Sequence, residues 1–173
     1  MSSGATYRMG NLITYKLRPD LGALKMSNGQ TAAFVSILSL AASALAETDR
    51  QRELAVWFAS HDQGAFGLGI VGFDVGELPW RVETFAVDRD FVLGAIEAAK
   101  AKSGWDRLGY APREEWVFDL LERFRALVAA FDIGHAAPGS EPTWGPGERP
   151  ACFELCPKHA VYLHSGGCVV CND

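Results

Sequence analysis

Cys156-Pro157-Lys158-His159-Ala160-Val161-Tyr162-Leu163-His164-Ser165-Gly166-Gly167-Cys168-Val169-Val170-Cys171 is the stretch on which the reading of this 173-residue chain turns. It contains two pairs of metal-ligand residues, each pair separated by two positions. An x2 spacing lets both side chains of a pair converge on one ion from a tight turn. The pattern C-x2-H followed by C-x2-C thus supplies the four donors of a closed zinc site. Pro157 suits the first corner of one turn. Asn172, directly after the last cysteine, is expected to close the other turn in the left-handed conformation. Between the pairs, Val161-Tyr162-Leu163 favours a strand and Ser165-Gly166-Gly167 a hairpin turn.

Two such knuckles brought together by a β-hairpin resemble a zinc ribbon. The resemblance covers residues 152–173 and departs from the all-cysteine form at His159. The expected ligands are Cys156, His159, Cys168 and Cys171. Cys152 is a rival, because C-x3-C with Cys156 would release His159. His164 is another, although its place near the turn suits a solvated side chain. Four protein ligands leave no open position for water, so the zinc is expected to be structural and no residue is assigned a catalytic role at it. All four cysteines lie within the last 22 residues. A disulfide framework would not be confined to one end of the chain. A redox reading of Cys168 and Cys171 alone leaves the upstream pair unexplained.

The rest of the chain is long enough for one domain of ordinary size. With 49% apolar and 21% charged residues it can bury a core. The fold class expected is α+β: a mostly helical domain with a small C-terminal zinc-bound β-hairpin. Residues 1–10 read as a disordered lead-in, 11–133 as the helical domain, 134–150 as a Pro/Gly-rich linker and 151–173 as the zinc-binding hairpin. Residues 11–17 alternate weakly and suggest a strand.

Ser27 and Thr48 have the capping chemistry that starts helices. Residues 31–46 are nearly all apolar or small. The long lead-in containing Asp20 favours a buried helix over a signal segment, and the serine content argues against a membrane span. On that helix Ser36, Ser39 and Ser43 form a face of small residues suited to close helix approach. Asp88 is expected to cap a further helix. The clearest helical stripe runs over residues 112–131, with Val117, Leu120, Leu121, Phe124 and Val128 inward. Trp144, a large aromatic in the linker, is expected to dock on its own domain.

Gly67, Gly69 and Gly72 form a formal G-x-G-x-x-G. A helix precedes it and none follows it directly, so a dinucleotide site is excluded and a glycine-interrupted strand or loop is expected. Three functional readings then compete. The first is a non-enzymatic cytoplasmic zinc protein of adaptor or bacterial immunity type, acting through a protein partner. The net charge of −5 would suit a basic partner, and the clustered cysteines suit a reducing compartment. The second is a hydrolase using His61 with Asp62 or Asp74 as an acid–base pair. The third is a nucleic-acid-binding zinc ribbon. The C-terminal segment argues against it, since Lys158 is its only basic residue besides histidine, against Glu154 and Asp173.

Overall fold

The computed structural model describes residues 10–136, 144 and 147–173. Residues 1–9 of the expected lead-in, and 137–143 and 145–146 of the expected linker, lie outside the described residues. The described chain is a mostly helical α+β fold, built around α1 (Asn28–Leu45). Ser27 starts α1 with a complete capping box: its hydroxyl accepts from the Gln30 amide, and the Gln30 side chain accepts from the Ser27 amide. The helix is buried on most of its circumference, from Phe34 to Ala42. A helix apolar all round must be covered all round. Here α2 (Asp49–Ala59), α4 (Phe85–Lys100) and α5 (Glu114–Ala130) pack against it. Among the described residues no helix is long and apolar enough to cross a membrane.

The α1–α5 contact is an aromatic one. Phe34 meets Phe124 edge-on at 5.5 Å between ring centroids, and Phe124 in turn meets Phe58 of α2 and Phe73. Edge-to-face packing of this kind adds to the burial itself. The α4 helix differs from the sequence expectation at its start. It begins at Phe85, and Asp88 lies within its first turn rather than at the cap. Asp88 is nonetheless buried, because Arg50 of α2 donates to its Oδ2 from Nε at 3.0 Å and from Nη2 at 2.7 Å, and Thr84 donates at 2.7 Å. A carboxylate taken out of water requires such partners.

Only a small sheet forms, in the order β2 (Leu24–Lys25), β1 (Leu12–Thr14), β3 (Phe73–Asp74). The strand expected over residues 11–17 is thus confined to its centre. β1 runs antiparallel to β2 and parallel to β3. The glycine-rich stretch leads into β3, and Gly72 explains why a glycine is needed there. A Cβ at that position would stand 2.5 Å from the Leu12 amide nitrogen and 2.8 Å from the Gly10 carbonyl oxygen. The stretch therefore brings backbone against backbone at Gly72 and leads into β3 rather than into a long helix.

In the C-terminal segment the pairing is limited to short antiparallel bridges, and the turn at Ser165 and Gly166 is closed by reciprocal His164–Gly167 hydrogen bonds. Val161 to Leu163 do not form a strand; two isolated antiparallel bridges, Leu155 with Tyr162 and His164 with Gly167, are what the backbone makes. The segment's apolar side chains also face the helical domain. Val161, Tyr162, Cys168, Val169 and Val170 belong to the same hydrophobic cluster as the helices. The partly buried Trp144 also packs on that cluster.

The serine face of α1 is the seat of this segment. Ser43 Oγ accepts the Tyr162 amide at 3.1 Å, and Ser36 Oγ donates to Asp173 Oδ2 at 2.6 Å. Ser39, on the same face between them, is buried and its hydroxyl has no hydrogen-bond partner among the described residues. The small residues thus admit the C-terminal segment close to the helix. α2 adds two further ties: Arg52 Nε donates to the Tyr162 hydroxyl at 3.0 Å, and Glu53 Oε2 accepts from Nε of Arg149, just before the segment, at 2.7 Å.

Candidate metal centre

Each pair of candidate ligands sits on a backbone turn closed by its own hydrogen bonds. In the first, the Ala160 amide donates to the Cys156 carbonyl and the Cys156 amide to the Val161 carbonyl, both at 2.8 Å. Ala160 is left-handed, at φ +54. In the second, the Asn172 amide donates to the Cys168 carbonyl at 3.0 Å, and the Cys171 amide donates to Cys168 Sγ at 3.3 Å. The left-handed residue expected at Asn172 is therefore found in the other turn. Asn172 stays in the ordinary region and uses its side chain instead, donating to Asp62 Oδ2 at 2.8 Å and to the Gly166 carbonyl at 3.1 Å.

These turns bring Cys156, His159, Cys168 and Cys171 together, with their ligand atoms all within 4.8 Å of one another. The set could hold one metal ion. His159 presents Nδ1 to the centre, 3.8 Å from Cys156 Sγ, 3.5 Å from Cys168 Sγ and 3.3 Å from Cys171 Sγ. Cys156 and Cys171 are 3.8 Å apart, sulfur to sulfur, and all four cysteines of the chain are free thiols. Burial, and then the nearby Lys158 charge, lower the proton affinity of the His159 ring, which favours the neutral imidazole a metal requires. Burial pushes the Cys168 thiol up to about 12. At Cys156 burial acts in the same direction but is outweighed by amide hydrogen bonds from His159 and Lys158, so its thiol is lowered. A cation at the centre would supply the charge that lets all three sulfurs ionise.

The rivals have other employment. Cys152 is exposed and its thiol lies 3.9 Å from a Glu154 carboxylate oxygen, outside the cluster. His164 is buried, and its Nδ1 accepts the Gly166 amide at 2.9 Å. The ring proton is thereby placed on Nε2, which faces Asp62 Oδ2 at 2.8 Å. Asp62 also caps α3 (Gln63–Phe66), accepting the Gly64 amide at 3.0 Å. One buried carboxylate therefore gathers α3, the turn between the knuckles and the residue after Cys171.

The residues of the hydrolase reading are placed as follows. His61 follows α2, with Nδ1 at 2.8 Å from the Trp57 carbonyl oxygen and its ring packed between Trp57 and Phe73. Asp62 is engaged by His164 and Asn172. Asp74 accepts from the Gly76 amide, from Thr14 Oγ1 and from the Lys16 amide, while Glu77 accepts the Asp74 amide at 2.7 Å. Asp74 and Glu77 are turn-forming carboxylates. The Asp62–His164 pair and the serine seat carry no local motif. The serine seat leaves one trace in the sequence, the i, i+3, i+7 spacing of Ser36, Ser39 and Ser43 in an otherwise apolar helix.

No family model matches the chain, and neither a curated protein nor a solved structure is similar to it.

Proposed function

We propose that the chain binds one structural zinc ion through Cys156, His159, Cys168 and Cys171, and that it acts as a non-enzymatic, cytoplasmic binding protein. The observation that carries this reading is the spacing of the four donors. Tetrahedral zinc with Zn–S of about 2.3 Å and Zn–N of about 2.0–2.1 Å puts sulfur–sulfur edges at about 3.8 Å and sulfur–nitrogen edges at about 3.6 Å. The Cys156–Cys171 separation is 3.8 Å, and Nδ1 of His159 lies 3.3 to 3.8 Å from the three sulfurs. Three thiolates and one imidazole complete the coordination of zinc and leave no position for a substrate or water. Such an ion stabilises the fold rather than performing a reaction.

A binding role follows from what remains once catalysis at the metal is set aside. The net charge of −5 favours a basic protein partner. Leu68 and Ile70 project from the glycine-rich loop at 67% and 44% exposure and offer apolar contacts beside α3.

Metal analysis of protein purified without added metal tests the first part. About one zinc per chain is expected from four donors closing on one ion, and Cys168→Ala should lose both the metal and thermal stability. Absence of metal together with titratable thiols would refute it. The second part is tested by affinity capture with the metal-loaded protein. A partner retained by the wild type at low salt should be lost at high salt and by Leu68→Asp. Capture unaffected by either change would count against this surface and this charge argument.

A further inference from the structure

We infer that Cys171 is an oxidation site, with Cys156 as its resolving partner, and that a peroxide releases the metal by joining the two in a disulfide. The inference rests on the zinc reading above and adds a specific reactive atom to it. Cys156 and Cys168 are each 5% exposed, whereas Cys171 is an exposed residue. The sulfurs also differ in what quiets them. The Cys171 amide donates to Cys168 Sγ at 3.3 Å. Cys171 Sγ itself lies against two other ligand atoms of the cluster. Its neighbours are Cys156 Sγ at 3.8 Å and His159 Nδ1 at 3.3 Å.

An amide hydrogen bond withdraws electron density from a thiolate and lowers its nucleophilicity. Cys171 is therefore the most accessible of the three thiols, and Cys156, with its sulfur 3.8 Å away, is better placed to resolve it than the amide-bonded Cys168.

The chemistry balances with hydrogen peroxide or an organic hydroperoxide as oxidant. The Cys171 thiolate attacks the peroxide oxygen, an S–O bond forms, the O–O bond breaks and hydroxide or alkoxide leaves. The resulting sulfenic acid is a poor zinc ligand. The Cys156 thiolate then attacks Cys171 Sγ, an S–S bond forms and the sulfenic oxygen departs as hydroxide. Two thiolates have lost two electrons and one peroxide has gained them. The sulfurs start 3.8 Å apart, and a disulfide needs about 2.05 Å, so the closure is a short one. Only His159 and Cys168 remain as ligands, too few to hold a structural zinc. A thiol reductant reverses the disulfide and restores the site.

The test uses the full zinc-loaded chain with hydrogen peroxide, a chromogenic zinc indicator in solution and peptide mass mapping of the cysteines. Zinc release should track formation of a Cys156–Cys171 disulfide, with Cys168 recovered as a free thiol. Cys152→Ser removes the other exposed thiol without touching the site and should change the release rate by less than about twofold. In a second measurement, substoichiometric N-ethylmaleimide on the Cys152→Ser protein should label Cys171 before Cys156 or Cys168. Labelling led by Cys156 or Cys168, a disulfide that involves Cys168, or oxidation without zinc release would each overturn the assignment while leaving the zinc site intact. A chain that carries no zinc before oxidant is added would instead remove the zinc reading, and this inference with it.

Discussion

Gly64→Ala places two opposing effects at one atom. Gly64 is the second residue of α3 and its φ is not positive, so alanine meets no backbone strain there. By helix propensity alone the change would stabilise by up to about 1 kcal/mol. The tertiary structure argues the other way. A Cβ at this position overlaps the Asn172 carbonyl oxygen and stands 3.0 Å from its carbon and 3.2 Å from the Asn172 Cβ. Carbon atoms rest at about 3.5–4.0 Å, so α3 and the segment after Cys171 must part by about half an ångström or more.

Overpacking of this kind costs about 1–3 kcal/mol. The Asn172 side chain, 2.8 Å from Asp62 Oδ2, would also lose a hydrogen bond to a charged group, worth about 1.5–3 kcal/mol. Subtracting a propensity gain of about 1 kcal/mol leaves a net destabilisation of about 1.5–5 kcal/mol. Urea unfolding of the zinc-loaded protein, monitored by tryptophan fluorescence, measures it. Zinc affinity by chelator competition should fall as well, since Asn172 directly follows a ligand. A variant that is unchanged within about 0.5 kcal/mol, or stabilised, would refute the close docking of the C-terminal segment on α3.

Other outcomes follow from the same geometry. Ser43→Ala removes the acceptor of the buried Tyr162 amide and should cost about 1–3 kcal/mol in urea unfolding. Ser39→Ala, one turn away on the same face, removes a hydroxyl without a hydrogen-bond partner among the described residues and should be neutral or stabilising by up to about 0.5 kcal/mol. Ala160→Gly relieves a left-handed alanine at φ +54 and should raise stability by about 0.5–1 kcal/mol after the entropy cost of glycine, read as an upward shift in Tm.

Glu53 governs an acid response. Burial alone would raise its carboxyl, but hydrogen bonds from Arg149 and Arg50 outweigh burial and hold it below its ordinary value of 4.5. A carboxylate depressed in the folded state adds stability above that ordinary value, and the contribution is lost as pH falls below it toward the folded-state value. Arg149→Met should cost about 1 kcal/mol at neutral pH, the low figure reflecting its half-exposed side chain, and should flatten the stability profile below about pH 4.5. An unchanged acid limb would contradict the pairing.

Local chemistry was legible from the chain alone. The Ser27 and Thr48 caps, the α1 and α5 stripes and the two x2 knuckles depend on residues within a few positions of one another. The four candidate ligands belong to this class, because each pair is delivered by one turn. What only the tertiary structure decided are the pairings between distant segments. Asp62 with His164, Glu53 with Arg149 and Ser43 with Tyr162 join residues about a hundred positions apart, and no periodicity encodes such a match. The same limit explains Asp88, which is plausible as a cap by residue type but is held within the helix by Arg50. The extent of pairing in the C-terminal segment is likewise a tertiary matter. Val161, Tyr162 and Leu163 have strand propensity, and they pair with residues 154–156 only through short bridges while Val161 and Tyr162 join the hydrophobic cluster of the helices.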